Sequence, residues 1–240
     1  MTKVVVERLG PVREAEVEAV LSTLRRLYEA VEDPPLLVYL VLASDRERFA
    51  SLLASIHDLW GVESSPSFER FEAAHDAYTG APRLVVCLEP LRALPREAAE
   101  GVVLHEAAHT VLHGSLDAYL APRGVVEEAA KLAGPGPSLD LAYLAAAAVK
   151  DYEASSLLLS AGFRREARAH VLHLLSQREG LEEEWRLSLG LGAPALHLAE
   201  VLKPLCCAAP LLGDAEVAMA AEAYTSHLPA RARRGLRELV

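Results

Sequence analysis

Three residues between Val102 and Val111 have the types and the spacing for metal-assisted hydrolysis: His105, Glu106 and His109. An α-helix turns about 100° per residue, so positions i and i+4 lie about 40° apart and two imidazoles there can converge on one ion. Glu106 projects beside the pair. A carboxylate in that place is set to take a proton from an attacking water rather than to bind the metal. The flanking Val102, Val103, Ala107, Ala108, Thr110 and Val111 are uncharged, which reads as a helix buried on most sides. Two histidines and a glutamate buried there without partners would be costly, and a metal, expected to be Zn2+, removes that cost. The competing reading is chance: with 9 histidines and 34 acidic residues in 240, such a string can arise without a site, in a merely structural helix.

Two histidines seldom hold a catalytic zinc alone, so a third protein ligand is expected downstream, leaving one position for water. Asp151 and Glu153 lie in an Ala-rich, almost uncharged stretch, Leu139 to Leu159, where a carboxylate is expensive unless paired or metal-bound. Helical projection places Leu144, Ala147, Ala148, Ala154, Ser155 and Leu158 around Asp151, a small-residue face that lets another helix approach closely. Around Glu153 it places Ala146, Val149, Lys150, Ser156, Leu157 and Ser160, which is more polar. Asp151 therefore stands ahead of Glu153, and the unused carboxylate is expected to orient a ligand histidine. Glu128, in Glu127-Glu128 followed by Lys131, also looks like an ordinary solvated helix start.

The other histidines carry weaker signals. His113, one turn after His109, would reach the same ion only from a distorted helix and reads as a support or core residue. His170 and His173 sit among leucines and read as a buried helix face. His57, His75, His197 and His227 show no usable pattern, and Tyr152 reads as core.

These residues need elements to position them. Lys3 to Leu9 is β-rich, and Val17, Val20, Leu21, Leu24, Leu27 and Tyr28 then repeat at helical spacing until Asp33-Pro34-Pro35. Leu36 to Leu42 reads as a buried strand, followed by a helix capped by Ser44 or Asp45 and stopped at Gly61. After a loop with Ser64, Ser65, Pro66 and Ser67, Arg83 to Leu88 reads as a strand. The motif helix starts near Pro95 and stops at Gly114. Beyond Gly114 the pattern is helical throughout, punctuated by Pro122, the turn at 134–137 and Pro194. The expected fold is thus an α/β (α+β) N-terminal lobe with a short sheet, residues 1–114, followed by an all-helical lobe, 115–240, that supplies the third ligand across a cleft.

This order of elements, over roughly residues 1 to 160, with the motif at 102–113, resembles the zincin metallopeptidases, the gluzincin-like ones in particular. The tail His109-Thr110-Val111-Leu112-His113 is similar to the form found in small intracellular zincins of the ImmA/IrrE group. The chain departs from the metzincins, which need Gly where Leu112 stands and a third His where Ser115 stands. The resemblance implies peptide-bond hydrolysis, and it implies that strand Arg83 to Leu88 lies at the cleft edge and pairs with an extended peptide. For the third ligand it offers two spacings. The 18 residues between His109 and Glu128 match aminopeptidase-type gluzincins, and Asp151-Tyr152-Glu153-Ala154-Ser155 resembles the ExEAN-like segment of the ImmA/IrrE group.

Composition narrows the alternatives. A 52% hydrophobic content excludes a disordered chain, and a net charge of −10 argues against nucleic acid or an anionic membrane as partner. The cluster Arg231, Arg233, Arg234 and Arg237 is broken by Glu238 and reads as a solvated terminal helix. The N-terminus lacks the apolar run of a secretory leader and no stretch approaches a bilayer span, so a cytoplasmic protein with a peptide or protein substrate is expected. Three cysteines, two of them adjacent, form neither a disulfide framework nor a CxxC zinc pattern. The absence of Asn, a single Gln and an excess of Arg over Lys fit either heat adaptation or a GC-rich genome. The second functional reading is a metal-binding regulator that keeps the zincin fold with little or no hydrolysis, since no oxyanion donor is identifiable.

Overall fold

Alternation over Lys3–Leu9 gives the first strand, β1, with Val4, Val6 and Leu9 half-buried and Val5 and Glu7 exposed. Helix α1, Glu14–Ala30, buries the stripe Val17, Val20, Leu24, Leu27 and Tyr28 that its periodicity marks. Strand β2, Leu37–Ala43, is nearly all buried, as a strand covered on both faces should be. Helix α2, Arg46–Trp60, starts where the Asp45 carboxylate accepts from the Arg48 backbone N–H at 3.1 Å. It stops at Gly61, whose φ of 63° is left-handed and favours glycine. Strands β3, Ala73–Asp76, and β4, Arg83–Cys87, form a hairpin, and the short helix α3, Leu88–Leu91, leads to α4, Arg96–Leu112. The computed structural model describes residues 2–61, 71–134 and 136–240; the loop expected around Ser64 to Ser67, and Pro135 of the 134–137 turn, lie outside the described residues.

The four strands form one sheet in the order β1-β2-β4-β3, with β1, β2 and β4 parallel and β3 antiparallel. Val41, Ala43, Val85 and Cys87 face α2 and cluster with Phe49, Leu53 and Ile56. The alternate residues Leu40, Leu42, Leu84 and Val86 are equally buried and point to the opposite face, where α1 and α4 pack. Tyr28 joins those two helices through a 2.8 Å hydrogen bond to the Thr110 hydroxyl, and burial pushes its phenol up to about 12.

Two sequence expectations need correction here. Between the loop expected at Ser64 to Ser67 and β4 lies a further strand, β3, for which the sequence shows no pattern. And β4 is paired on both sides, so its backbone groups are spent within the sheet and it cannot be the edge that receives an extended peptide. Among the described residues the outer strand on that side is β3.

The chain forms two compact units, Met1–Tyr119 with Ser160–Ala167, and Leu120–Leu159 with Arg168–Val240. Within the first, Arg26 bonds Glu100 at 2.8 Å and Glu166 at 2.5 Å and covers the Phe163 ring, fixing the 160–167 segment. The helices that follow are α5, Arg123–Ala133, α6, Ser138–Ser160, α7, Arg164–Ser176, α8, Leu181–Gly190, α9, Pro194–Ala208, α10, Ala215–Tyr224, and α11, Ala230–Leu239; apart from Ser160 and the first turn of α7, they make up the second unit. Helices α5, α8 and α10 all pack on α9. Ser155 on α6 meets Cys207 on α9 at 3.1 Å. The architecture is mixed α/β, and no described helix is long and apolar enough to cross a membrane.

Candidate metal centre

Helix α4 is buried along most of its length, from Ala98 through Thr110. Pro95 is its N-cap, where a missing N–H costs no helical hydrogen bond, and His113 closes it before Gly114. A Cβ on Gly114 would stand 2.4 Å from the Thr110 carbonyl oxygen, so the chain can leave the helix this tightly only at glycine. The motif residues are held by a rigid element.

His105 and His109 are 4% and 2% exposed, and their Nε2 atoms lie 3.1 Å apart with the rings 82° from coplanar. Two nitrogens bound to one tetrahedral zinc at about 2.0–2.1 Å lie roughly 3.3 Å apart, so the pair fits a shared ion with almost no adjustment. The donor set suits zinc.

On the other side of His109, its Nδ1 lies 3.0 Å from Nδ1 of His113, which is itself buried. His113 thus reaches the His109 ring from behind, in a supporting place.

Glu106, one residue after His105, turns toward the sheet. Its Oε2 accepts from Nδ1 of His75 at 2.6 Å, and both side chains are less than one-fifth exposed. His75 lies on β3, opposite Leu84 on β4, so it faces α4. Its ring stacks on His109 with centroids 4.0 Å apart and planes 9° from parallel. His75, Glu106 and His109 form one cluster of metal-capable side chains. Tyr119, in the 3-10 turn Leu116–Tyr119, lies 6.3 Å from His75 and 5.2 Å from Tyr78, edge-on, adding an aromatic flank.

His75 is the residue that sequence reading missed. A four-residue strand of Ala-Ala-His-Asp is too short to show alternation. The usable signal was the turn after it, where Gly80 has φ of 82° and its N–H bonds Ala77 at 2.9 Å, marking a hairpin into β4.

The remaining candidates lie in the second unit. Asp151 on α6 is half-buried, on the face that carries the buried Ala148, Ala154, Ser155 and Leu158. After burial, its charge is the next cause that pushes the Cys206 thiol up, to about 11. Glu153 and Tyr152 are exposed, so Tyr152 is not a core residue. Glu128 is exposed and paired with Lys131 at 2.5 Å, as a solvated helix residue would be. His173 bonds Gln177 at 3.1 Å, and among the described residues no metal-capable cluster contains both His170 and His173. Cys87, Cys206 and Cys207 take part in no disulfide.

Comparison of the chain with family models, with curated proteins and with solved structures found no match.

Proposed function

We propose that the protein is a zinc-dependent metallopeptidase, with His105 and His109 as two metal ligands and Glu106 as general base. The observation that carries this reading is the 3.1 Å approach of two buried Nε2 atoms on a helix that also presents a half-buried carboxylate beside them. Zinc bound there would act as a Lewis acid toward a peptide carbonyl and lower the pKa of water. Glu106 takes the proton of the water as its oxygen attacks the carbonyl carbon. The C–N bond then breaks, and Glu106 passes the proton to the leaving nitrogen. The third ligand is the carboxylate expected from the sequence, Asp151 ahead of Glu153.

The outer strand β3 is the place where an extended peptide would add to the sheet, since β4 is filled. Such a peptide would run beside His75 and Glu106. Zinc content of the purified chain and cleavage of a peptide library by wild type and Glu106→Gln test the reading together. Stoichiometric zinc with cleavage that the variant loses supports it; the absence of zinc, or equal cleavage by both proteins, defeats it.

A further inference from the structure

We infer that His75 is a positioning residue for Glu106: from the outer strand of the sheet it holds one carboxylate oxygen and leaves the other for the water. This rests on the metallopeptidase reading. Three features of the first unit fix the imidazole. The strand register sets it on the α4 face, and Arg83 clamps the next residue, Asp76, with two hydrogen bonds of 2.8 and 3.0 Å. A slip of one residue would turn His75 to the opposite face, and that clamp opposes the slip. The His109 ring, 4.0 Å below, fixes the plane.

The same stack argues against His75 as a metal ligand beside His109. Nitrogen lone pairs lie in the plane of their ring, and with planes only 9° apart they run parallel instead of meeting about 2 Å from both atoms. The perpendicular rings of His105 and His109 do converge. What remains for His75 is the 2.6 Å bond to Glu106 Oε2, short enough for a donor meeting an ionised carboxylate. A glutamate on a helix has three side-chain torsions, and a base that swings loses the geometry proton transfer needs. Tying Oε2 to a rigid strand removes most of that freedom and presents Oε1.

Two measurements on the full chain test this. In metal-free, 15N-labelled protein, a His75 Nδ1 proton assigned through its ring couplings should be shifted downfield by the short bond and should lose that shift in Glu106→Ala. In zinc-loaded protein, His75→Ala should lower kcat by about 10- to 100-fold, the usual cost of removing a supporting contact, with KM and zinc content unchanged. His75→Asn, whose amide N–H falls near the position of Nδ1, should recover much of the loss, and His75→Gln should not. A downfield proton that survives Glu106→Ala, an unchanged kcat in His75→Ala, loss of zinc from that variant, or an Asn variant no better than Ala would each overturn the assignment. If zinc-loaded wild type cleaves no peptide, the metallopeptidase reading falls by itself, and the spectrum still decides whether His75 holds Glu106.

Discussion

His113 lies behind His109, with the two Nδ1 atoms 3.0 Å apart, while the opposite edge of His109 faces His105 at 3.1 Å. For Nε2 of His109 to offer a lone pair to an ion, its Nδ1 must carry the proton, and Nδ1 of His113 at 3.0 Å can accept it. Under the proposed zinc reading, His113 would set both the tautomer and the tilt of the His109 ring. Replacing it by Ala should weaken zinc binding by about 10- to 100-fold in a chelator competition titration. An unchanged affinity would show that His113 only fills space.

The two carboxylates on α6 separate by exposure. Asp151 belongs to the packed face with Ala148, Ala154, Ser155 and Leu158, and Glu153 is exposed. Asp151→Asn should strip most of the zinc from purified protein, and Glu153→Gln should leave it in place. Zinc retained by both variants would remove α6 from the ligand set.

The sequence showed most clearly what depends on periodicity. The stripe of α1, the apolar run of β2 and the buried flanks of α4 each repeat over enough residues to declare their partners. So did the caps at Asp45 and Gly61, because both act within a few residues of themselves. What stayed hidden is the partner of Glu106. It lies 31 residues upstream, on a four-residue strand whose place is set by pairing with β4 and by the Asp76–Arg83 clamp, neither of which leaves a local pattern. The role of β4 was misjudged for the same reason. Whether a strand is central or outer depends on which other segments pair with it, and β3 was the segment not seen.

Arg83 and Asp76 hold β3 in register. The Asp76 side chain is 8% exposed and the guanidinium meets it in a fork. Removing Arg83 alone leaves that carboxylate buried without its counter-charge, which typically costs about 3–5 kcal/mol. Arg83→Ala should therefore lower the midpoint of thermal unfolding by several degrees. Restoring part of the stability with Asp76→Ala in the same chain would show that the stranded charge, not lost packing, is the cause. A double variant no better than the single one would contradict this.

Glu16 gives the fold a pH dependence of its own. Its carboxylate accepts from Arg13 at 2.7 Å and from Arg92 at 2.8 Å, and those two guanidinium hydrogen bonds hold it at about 2 instead of 4.5. A carboxylate bound more tightly in its charged form stabilises the fold fully above its unfolded value, and the contribution disappears as pH falls from about 4.5 to about 2. Arg13 is 75% exposed and Arg92 41%, so solvent screening limits the effect to about 1 kcal/mol. Glu16→Gln isolates the charge, because an amide oxygen can still accept the Arg13 backbone N–H that Glu16 now caps at 2.9 Å. Denaturant titrations should show wild type more stable than this variant at pH 7 and the gap closing toward pH 2. A gap that stays constant over that range would mean that Glu16 acts through packing or capping and not through its charge.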